Sequence, residues 1–478
     1  KGKTIEQSGS VTGTIGNYAQ NSDAGAINIH TSGDVNGTLN HGIQVSNVGT
    51  SLDANITQKG GKIFGQTDGI NLINKGKGST NIILDGTIES NTSNAVSAQN
   101  TAASAKDLTL KQSSTGKILG DYHGIYVNNQ GDNAATIVET SGEINATRMY
   151  GIYAANSGLA KDISITQKDG SISGNAYGIY ANHAGIGAVV IQQDAGKIEA
   201  RSDVGIYAKN TSCGTYINVT RANGSVLGKN YGMYINNSGT GSTNLVVDSN
   251  ITGTSKDGIF VYNLVASVQD LNITQGANST VTGGYYGIRA QHGGTGAINI
   301  SLEGNITGVK NDGIIVSNYT SPSDVTVTQS SGIIEGNTTG ISVCNGGANS
   351  STKIIQTAGE IIGKNSNGIA VVNNANSSNI EIIQGANGKI TGGGNIGIYA
   401  GNAGLGSTSV QTAGDVNGSY VGIWATTNNT IGKDVTVTQI SGTVVGDNIG
   451  IIARNLGMGT ITVQTAGNVI ANSNTGYG

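Results

Sequence analysis

The chain is built from short segments in which apolar and polar residues alternate. In one of them Ile163 and Ile165 flank Ser164, and similar segments recur along the whole sequence, separated by Gly and Asn. Alternation with a period of two over so few residues predicts β-strands joined by turns. No helical pattern lies between the segments, so the sequence indicates an all-β protein.

A second pattern is a repeat with a fixed period. The tetrapeptide Gly-Ile-Tyr-Ala begins at Gly151, Gly178 and Gly205, and equivalent positions recur at an almost constant interval along the chain. These positions, called anchors below, are Gly16, Gly42, Gly69, Ala95, Gly124, Gly151, Gly178, Gly205, Gly232, Gly258, Gly287, Gly313, Gly340, Gly368, Gly397, Gly422, Gly450 and Gly476. Their period of about 27 residues is typical of a solenoid.

Each interval contains three alternating segments, which predicts three short strands per coil. Strands that repeat in this way pair in parallel with those of the next coil, and the crossover rule favours a right-handed winding. The sequence therefore predicts a right-handed, single-stranded parallel β-helix of about 17 coils, with about 27 residues in each, forming one continuous domain over residues 1–478. Within the tetrapeptide we expect Gly to set the turn, Ile and Ala to fill the interior, and Tyr to face outward.

An Asn stands five residues after the anchor in 14 of the 17 complete coils. Because Asn tolerates left-handed backbone and stacked amides bond one another, we expect a structural amide ladder. His183, His292 and Thr427 replace it elsewhere. Segments ending in Gln167 and its relatives recur in every second coil, so the repeating unit is a pair of alternating coils. The ladder occupies Asn21, Asn47, Asn74, Asn100, Asn129, Asn156, Asn210, Asn237, Asn263, Asn318, Asn345, Asn373, Asn402 and Asn455.

Composition excludes several classes of protein. The chain has 11% charged residues and a net charge of −4, without the basic stripe expected of a nucleic-acid binder. No apolar run reaches the roughly 18 residues of a membrane helix, so this fragment is not expected to insert into a membrane. Because it begins with Lys1, we expect a mature piece of a longer precursor. Cys213 and Cys344 lie five coils apart, too far to bond each other.

The residues that could carry chemistry are scattered. Stacked acidic positions exist only in fragments, such as Glu139 with Asp194 and Glu303 with Glu360, and no insertion forms a cleft over them. The five histidines have no Ser or Cys at a repeated offset, and the sequence contains no Cys or His metal motif. We therefore predict a protein that is not an enzyme and that has no cofactor and no metal. A glycan-degrading β-helix enzyme is the least favoured alternative.

The outward residue two positions after the anchor is aromatic in many coils. Tyr residues immediately before some anchors widen this stripe. The candidate partner-binding residues are Tyr126, Tyr153, Tyr180, Tyr207, Tyr234 and Phe260, together with Tyr150, Tyr177 and Tyr231. Tyr399 and Trp424 occupy the same position later in the chain. Exposed aromatic rings favour a recognition surface, and the equally weighted alternative is a stacking ladder that shields the strands. A further alternative is that a chain segment outside this sequence covers the stripe.

Four lysines on two adjacent coils form a second candidate. Lys59, Lys62, Lys75 and Lys77 are placed to contact a sulfated glycan or an acidic receptor patch. The alternative, which has the greater weight, is that these lysines keep a sheet edge soluble.

The alternation of Gly-Ile-Tyr-Ala-x-Asn coils with Ile-Thr-Gln-x-x-Gly-x-Ile-x-Gly coils resembles the passenger domains of bacterial type V autotransporters. It is most similar to the proangiogenic passengers of the Bartonella angiogenic factor group. The resemblance implies a signal peptide before this sequence, an outer-membrane translocation domain after it, and a passenger that is exposed on the bacterial surface or released from the cell. The two cysteines depart from the class.

The resemblance leads to three hypotheses about function. In the first, the chain is a secreted virulence factor that binds a host cell-surface protein, and the subgroup implies a proangiogenic ligand that activates a vascular endothelial growth-factor receptor. In the second, it is an adhesin or a self-associating surface protein. Glycan cleavage is the third. Glycan contact is a further expectation about partners, and no contact residues can be transferred from the family.

Overall fold

The computed structural model describes residues 1–264, 269–319 and 322–472. The chain divides into two compact units, Lys1–Thr240 and Gly241–Gly478. Each unit is a parallel β-solenoid in which the three strands of each turn belong to three ladders. The two units together contain about 17 turns, and each turn has about 27 residues. The described residues include no helix, and therefore none that could cross a membrane. The predicted all-β parallel β-helix is confirmed, whereas its handedness and its continuity over residues 1–478 stay predictions.

The three ladders of the first unit follow one another along each turn, starting at the anchor. The first ladder comprises Asn17–Asn21, Ile43–Val48, Ile70–Lys75, Val96–Asn100, Ile125–Asn129, Tyr150–Asn156, Tyr177–His183, Val204–Asn210 and Tyr231–Asn237. The second comprises Lys3–Gln7, Ile27–Thr31, Ala54–Gln58, Thr80–Leu84, Leu108–Gln112, Thr136–Thr140, Ile163–Gln167, Val189–Gln193 and Ile217–Arg221. The third comprises Val11–Gly13, Val35–Gly37, Lys62–Gly65, Thr87–Ser90, Lys117–Gly120, Glu143–Ala146, Ser171–Gly174, Lys197–Ala200 and Ser225–Gly228.

The second unit repeats this order, with two long strands that serve both the second and the third ladder. Its first ladder comprises Ile259–Asn263, Ile288–His292, Ile314–Asn318, Ile341–Asn345, Ile369–Asn373, Ile396–Asn402, Val421–Thr427 and Ile449–Asn455. The second comprises Thr243–Val247, Leu271–Gln275, Ile298–Leu302, Val325–Gln329, Thr352–Gly363, Ile380–Gly392, Thr408–Thr412, Val435–Gln439 and Ile461–Thr465. The third adds Asn250–Gly253, Thr280–Gly283, Asn305–Gly308, Ile333–Gly336, Asp415–Gly418, Thr443–Gly446 and Asn468–Ala471.

The core consists of apolar side chains stacked in register from turn to turn. Ile152 pairs with Ile179, which pairs with Ile206, and all three are fully buried. Burial of each such side chain contributes about 1.5–3 kcal/mol, and the parallel ladder repeats this contribution at every turn. Buried and half-buried residues alternate along strands such as Ile163–Gln167, as the pattern of the sequence predicts.

The anchor glycines have a different role from the one expected. None of Gly151, Gly178 and Gly205 has a positive φ. A Cβ built on Gly178 would lie 2.7 Å from the carbonyl oxygen of Gly205 and 2.4 Å from Cγ2 of Ile198. The anchor is therefore Gly because strands approach closely there, and the expectation that it sets a turn is wrong. Positive φ occurs instead mainly at glycines before the third strand, such as Gly170 at 76°.

The Asn ladder is buried, and it satisfies turn backbone more than it stacks amide on amide. Asn156 Nδ2 donates to the carbonyl oxygen of Lys161 at 2.7 Å, within its own coil. A direct bond between amides joins Asn47 and Asn74 at 3.1 Å. Where His183 replaces Asn, its Nε2 accepts the backbone N–H of Gly187 at 2.9 Å.

A recurrent Asp follows the pairwise alternation of the coils. This Asp precedes the second-ladder strand of every other coil over most of the chain, and its carboxylate accepts a backbone N–H of the following coil at 2.8 Å. The interaction joins neighbouring turns beside a backbone hydrogen bond of the same corner, such as that from Ala54 N–H to the carbonyl oxygen of Ser79 at 2.9 Å. The residues are Asp53, Asp107 and Asp162 in the first unit and Asp270, Asp324 and Asp434 in the second.

Cys213 and Cys344 are free and exposed. The expectation that they do not bond each other is confirmed. Each lies in a different unit.

Candidate functional site: an aromatic stripe on the first unit

The predicted tyrosines of the first unit lie together on the outer side of the first ladder. The ladder register places them in successive turns, and each ring is half-buried. Their inward neighbours, such as Ile179 and Ala181, are fully buried, so alternation directs the rings outward as expected. We call this surface the aromatic stripe, and it comprises Tyr126, Tyr150, Tyr153, Tyr177, Tyr180, Tyr207, Tyr231 and Tyr234.

Four of the rings form a parallel stack. The ring centroids of Tyr126 and Tyr153 are 5.0 Å apart with an angle of 5° between the planes. Tyr153 and Tyr180 follow at 5.4 Å and 6°. Tyr180 and Tyr207 complete the stack at 4.8 Å and 12°, and Tyr234 ends it edge-on to Tyr207 at 87°. The faces of the inner rings are therefore covered by their neighbours, and ring edges and hydroxyls are directed outward.

The tyrosines that precede the anchors extend this stack sideways. Tyr150 lies nearly parallel to both Tyr153 and Tyr180, with centroid distances of 5.7 and 5.1 Å. Tyr177 instead presents its edge to Tyr150 and Tyr180, at 74° and 73°. Tyr231 is tilted by 43° against Tyr234. Offset and edge-to-face pairs of this kind contribute about 0.5–1.5 kcal/mol each beyond burial.

His123 is a member of the aromatic cluster that sequence reasoning missed. Its ring stacks on Tyr150 at 4.7 Å, and its Nδ1 accepts the backbone N–H of Tyr150 at 3.3 Å. Only 6% of the residue is exposed, and this burial lowers the pKa of the imidazole to about 4. His123 is therefore neutral near pH 7. The signal in the sequence is its position immediately before Gly124, which matches that of Tyr150 before Gly151.

The phenols of the stripe resist ionisation. Burial raises the pKa of Tyr153 and Tyr180, and it raises the pKa of Tyr207 to about 12. Burial and the neighbouring Asp203 carboxylate raise the pKa of Tyr177. At neutral pH these hydroxyls stay protonated and can act as hydrogen-bond donors.

Phe260, at the equivalent position in the second unit, is covered. It is 7% exposed and lies under the guanidinium of Arg289, whose Cζ is 3.9 Å from the ring centroid. Arg289 also pairs with the buried carboxylate of Asp257 at 2.8 Å. Phe260 was expected to belong to the partner-binding set, but it offers little area to a partner. Tyr399 and Trp424 form an isolated edge-on pair at 5.9 Å and 89°.

The four lysines of the predicted basic patch lie at two different corners of the coil. Lys59 and Lys62 border the turn between the second and third strands, whereas Lys75 and Lys77 border the turn between the first and second. Lys62 Nζ pairs with Glu89 at 2.6 Å. The structure therefore does not place all four lysines around one corner.

Two of the acidic candidates, Glu139 and Glu360, are paired with lysines of neighbouring coils. Glu139 contacts Lys168 at 3.1 Å and Lys111 at 3.3 Å, and the hydrogen bond from Lys168 lowers the pKa of the Glu139 carboxyl. Glu360 pairs with Lys389 at 3.3 Å. Among the described residues, no group of three or more His, Cys, Asp or Glu side chains could hold a metal ion.

Comparisons with models of protein families, with curated proteins and with solved structures give no match. Functional inference therefore depends on the geometry of the stripe and on the resemblance drawn from the repeats.

Proposed function

We propose that the chain is a non-catalytic binding protein of the autotransporter passenger type, acting outside the bacterial cell, and that the aromatic stripe binds a protein on a host cell. The observation that supports this is the run of outward rings at Tyr126, Tyr153, Tyr180, Tyr207 and Tyr234 in successive turns. Aromatic rings supply large contact areas, and rings already held by stacking lose little conformational entropy on binding.

The fold itself does not require aromatic residues at this position. In the three turns before the stripe the same position holds Gln44, Asn71 and Ser97, which pair in the same ladder. Ser342 and Ala370 occupy it in the second unit. Because small and polar residues suffice there, a role only in shielding the strands does not account for five aromatic rings in a row.

A triple substitution with a matched control tests the proposal. In the full chain, Tyr153, Tyr180 and Tyr207 are changed to Ser, and binding to endothelial cells is compared with wild type. We expect at least about tenfold weaker binding, since each interface aromatic typically contributes more than about 1 kcal/mol. The control changes Tyr216, Tyr319 and Tyr420 to Ser; all three are exposed and lie outside the stripe.

Circular dichroism and thermal unfolding confirm that both variants are folded. Unchanged binding by a folded stripe variant, or an equal loss in the control, would contradict the proposal. The vascular endothelial growth-factor receptor implied by the resemblance is the first partner to examine, by cross-linking and receptor phosphorylation. Concentration-dependent clumping without phosphorylation would favour the adhesin hypothesis instead.

A further inference from the structure

We infer that the stripe recognises an acidic polypeptide segment, contacted by ring edges and phenol hydroxyls. This inference rests on the proposed function and gives the chemistry of the partner.

The rings of the stripe are oriented so that neighbouring rings cover their faces. An aromatic ring carries a negative face and a positive edge. In the stack, Tyr153 and Tyr180 have neighbours on both faces at 4.8–5.4 Å and nearly parallel planes. A cation that requires an open face finds these faces occupied. The accessible edges, with their positive character, favour electron-rich oxygen atoms of a partner.

The phenol hydroxyls of the stripe are protonated at neutral pH. Because the phenols of the stripe stay protonated, they can donate to an acceptor on the partner. In the first unit the Asp203 carboxylate already interacts with the Tyr177 phenol and, together with burial, raises its pKa. Hydrogen bonds to a charged acceptor are stronger than those between neutral groups, so a partner carboxylate fits this surface better than a partner hydroxyl.

The coils that carry the stripe have more basic than acidic residues around it. From four residues before to five after the anchor, the five coils of the stripe contain four basic and two acidic residues, although the whole chain has a net charge of −4. The Asp121 carboxylate is paired with Arg148 at 2.8 Å, and Asp203 accepts a bond from Asn230 at 2.9 Å. The basic residues are Arg148, Arg201, Lys209 and Lys229. This surplus of positive charge complements an acidic partner.

The second unit provides the contrasting case. The guanidinium of Arg289 lies over the ring of Phe260, with its Cζ 3.9 Å from the ring centroid. The same position of the same fold therefore accepts a cation over a ring face. In the stripe, neighbouring rings cover the ring faces, so we expect the stripe to prefer anionic groups to cations.

Two short synthetic peptides, one alternating Glu with Gly and the other alternating Lys with Gly, test the inference. Each is titrated into the full chain at low salt by fluorescence anisotropy. We expect saturable binding of the Glu peptide and none of the Lys peptide, with affinity falling as salt screens the charges. Changing Tyr153, Tyr180 and Tyr207 to Phe keeps the stack and removes three donors, and should weaken Glu-peptide binding about tenfold.

The Ser variant of the same three residues should lose more affinity for the Glu peptide than the Phe variant, because both the ring edges and the hydroxyl donors are removed. The control variant, with Tyr216, Tyr319 and Tyr420 changed to Ser, should bind the Glu peptide as wild type does. Equal or tighter binding of the Lys peptide, absence of Glu-peptide binding, or an unaffected Phe variant would each overturn the inference. The proposed function and this inference can be refuted independently of each other. Cell binding lost in the Ser variant without Glu-peptide preference refutes only the inference, and Glu-peptide binding with unchanged cell binding refutes only the proposed function.

Discussion

The outward position two residues after the anchor differs between the two units, whereas the inward positions beside it do not. In the first unit it holds five successive tyrosines; in the second it holds Phe260, Arg289, Ile315, Ser342, Ala370, Tyr399, Trp424 and Ile452. The inward residue before it is Ile179 in one turn of the first unit and Ile398 in one turn of the second, and both are fully buried.

The comparison separates what the fold requires from what it permits. An inward side chain must fill a fixed space between two neighbouring turns, so the inward residue just before the outward one is Ile or Val in nearly every turn. An outward side chain is limited only by its neighbours on the same face, so it can change from Tyr to Ser without disturbing the ladder. The stripe is therefore a property of the first unit alone, and it is where a function specific to that unit can reside.

The largest loss of stability is expected when an inward side chain is truncated, and this loss should be the same in both units. Ile179→Ala and Ile398→Ala each leave a cavity in a fully buried stack and should each destabilise their unit by about 2–5 kcal/mol. Urea unfolding monitored by hydrogen exchange of each unit measures the loss, because a repeat array need not unfold in one step. A loss confined to one unit would contradict the view that the inward positions are equivalent.

A smaller effect, dependent on pH, is expected where histidine enters the Asn ladder. Burial lowers the pKa of His183 to about 4, below its ordinary value near 6.5. The neutral imidazole is favoured in the folded state, so this contribution to stability is present above pH 6.5 and is lost as the pH falls toward 4. His183→Asn restores the residue found in the adjacent coils at Asn156 and Asn210. At pH 5 the wild type should have lost about 2 kcal/mol of its free energy of unfolding through His183, and the variant should not show this loss.

The matched residue of the second unit is His292, whose pKa is also lowered by burial. His292→Asn should act in the same direction on its own unit. The control is His30→Asn, because the His30 side chain is 38% exposed. Thermal unfolding at pH 5 and pH 7 compares the variants. An equal pH dependence in wild type and His183→Asn would show that the ladder tolerates the imidazolium.

Most of the fold could be predicted because each element repeats. The constant period, the alternation around Tyr153 and the Asn ladder each occur many times, so coil length, strand number and inward residues follow from the sequence. The Asp at positions such as Asp107 and Asp162 also recurs in every second coil, but its residue type does not reveal that its carboxylate accepts a backbone N–H of the next coil.

What could not be predicted depends on contacts between particular side chains. The role of Gly178 in close packing follows from distances to Gly205 and Ile198 rather than from residue type. The burial of Phe260 depends on Arg289 in the next turn, whose side chain is long enough to cover the ring. That the tyrosine faces are covered while their edges are accessible also required ring orientations, because alternation predicts only the side on which a ring lies.

The smallest effect is expected from the stack itself, and it tests whether the stripe differs energetically from the isolated aromatic pair of the second unit. Tyr180 has near-parallel neighbours on both faces, whereas Tyr399 contacts Trp424 edge-on. Tyr180→Leu should cost about 1 kcal/mol beyond buried area and Tyr399→Leu about half of that, while Tyr180→Phe should be nearly neutral. Thermal unfolding measures all three. If Tyr180→Leu costs no more than Tyr399→Leu, stacking does not hold the rings in place, and preorganisation of the stripe for a partner is contradicted.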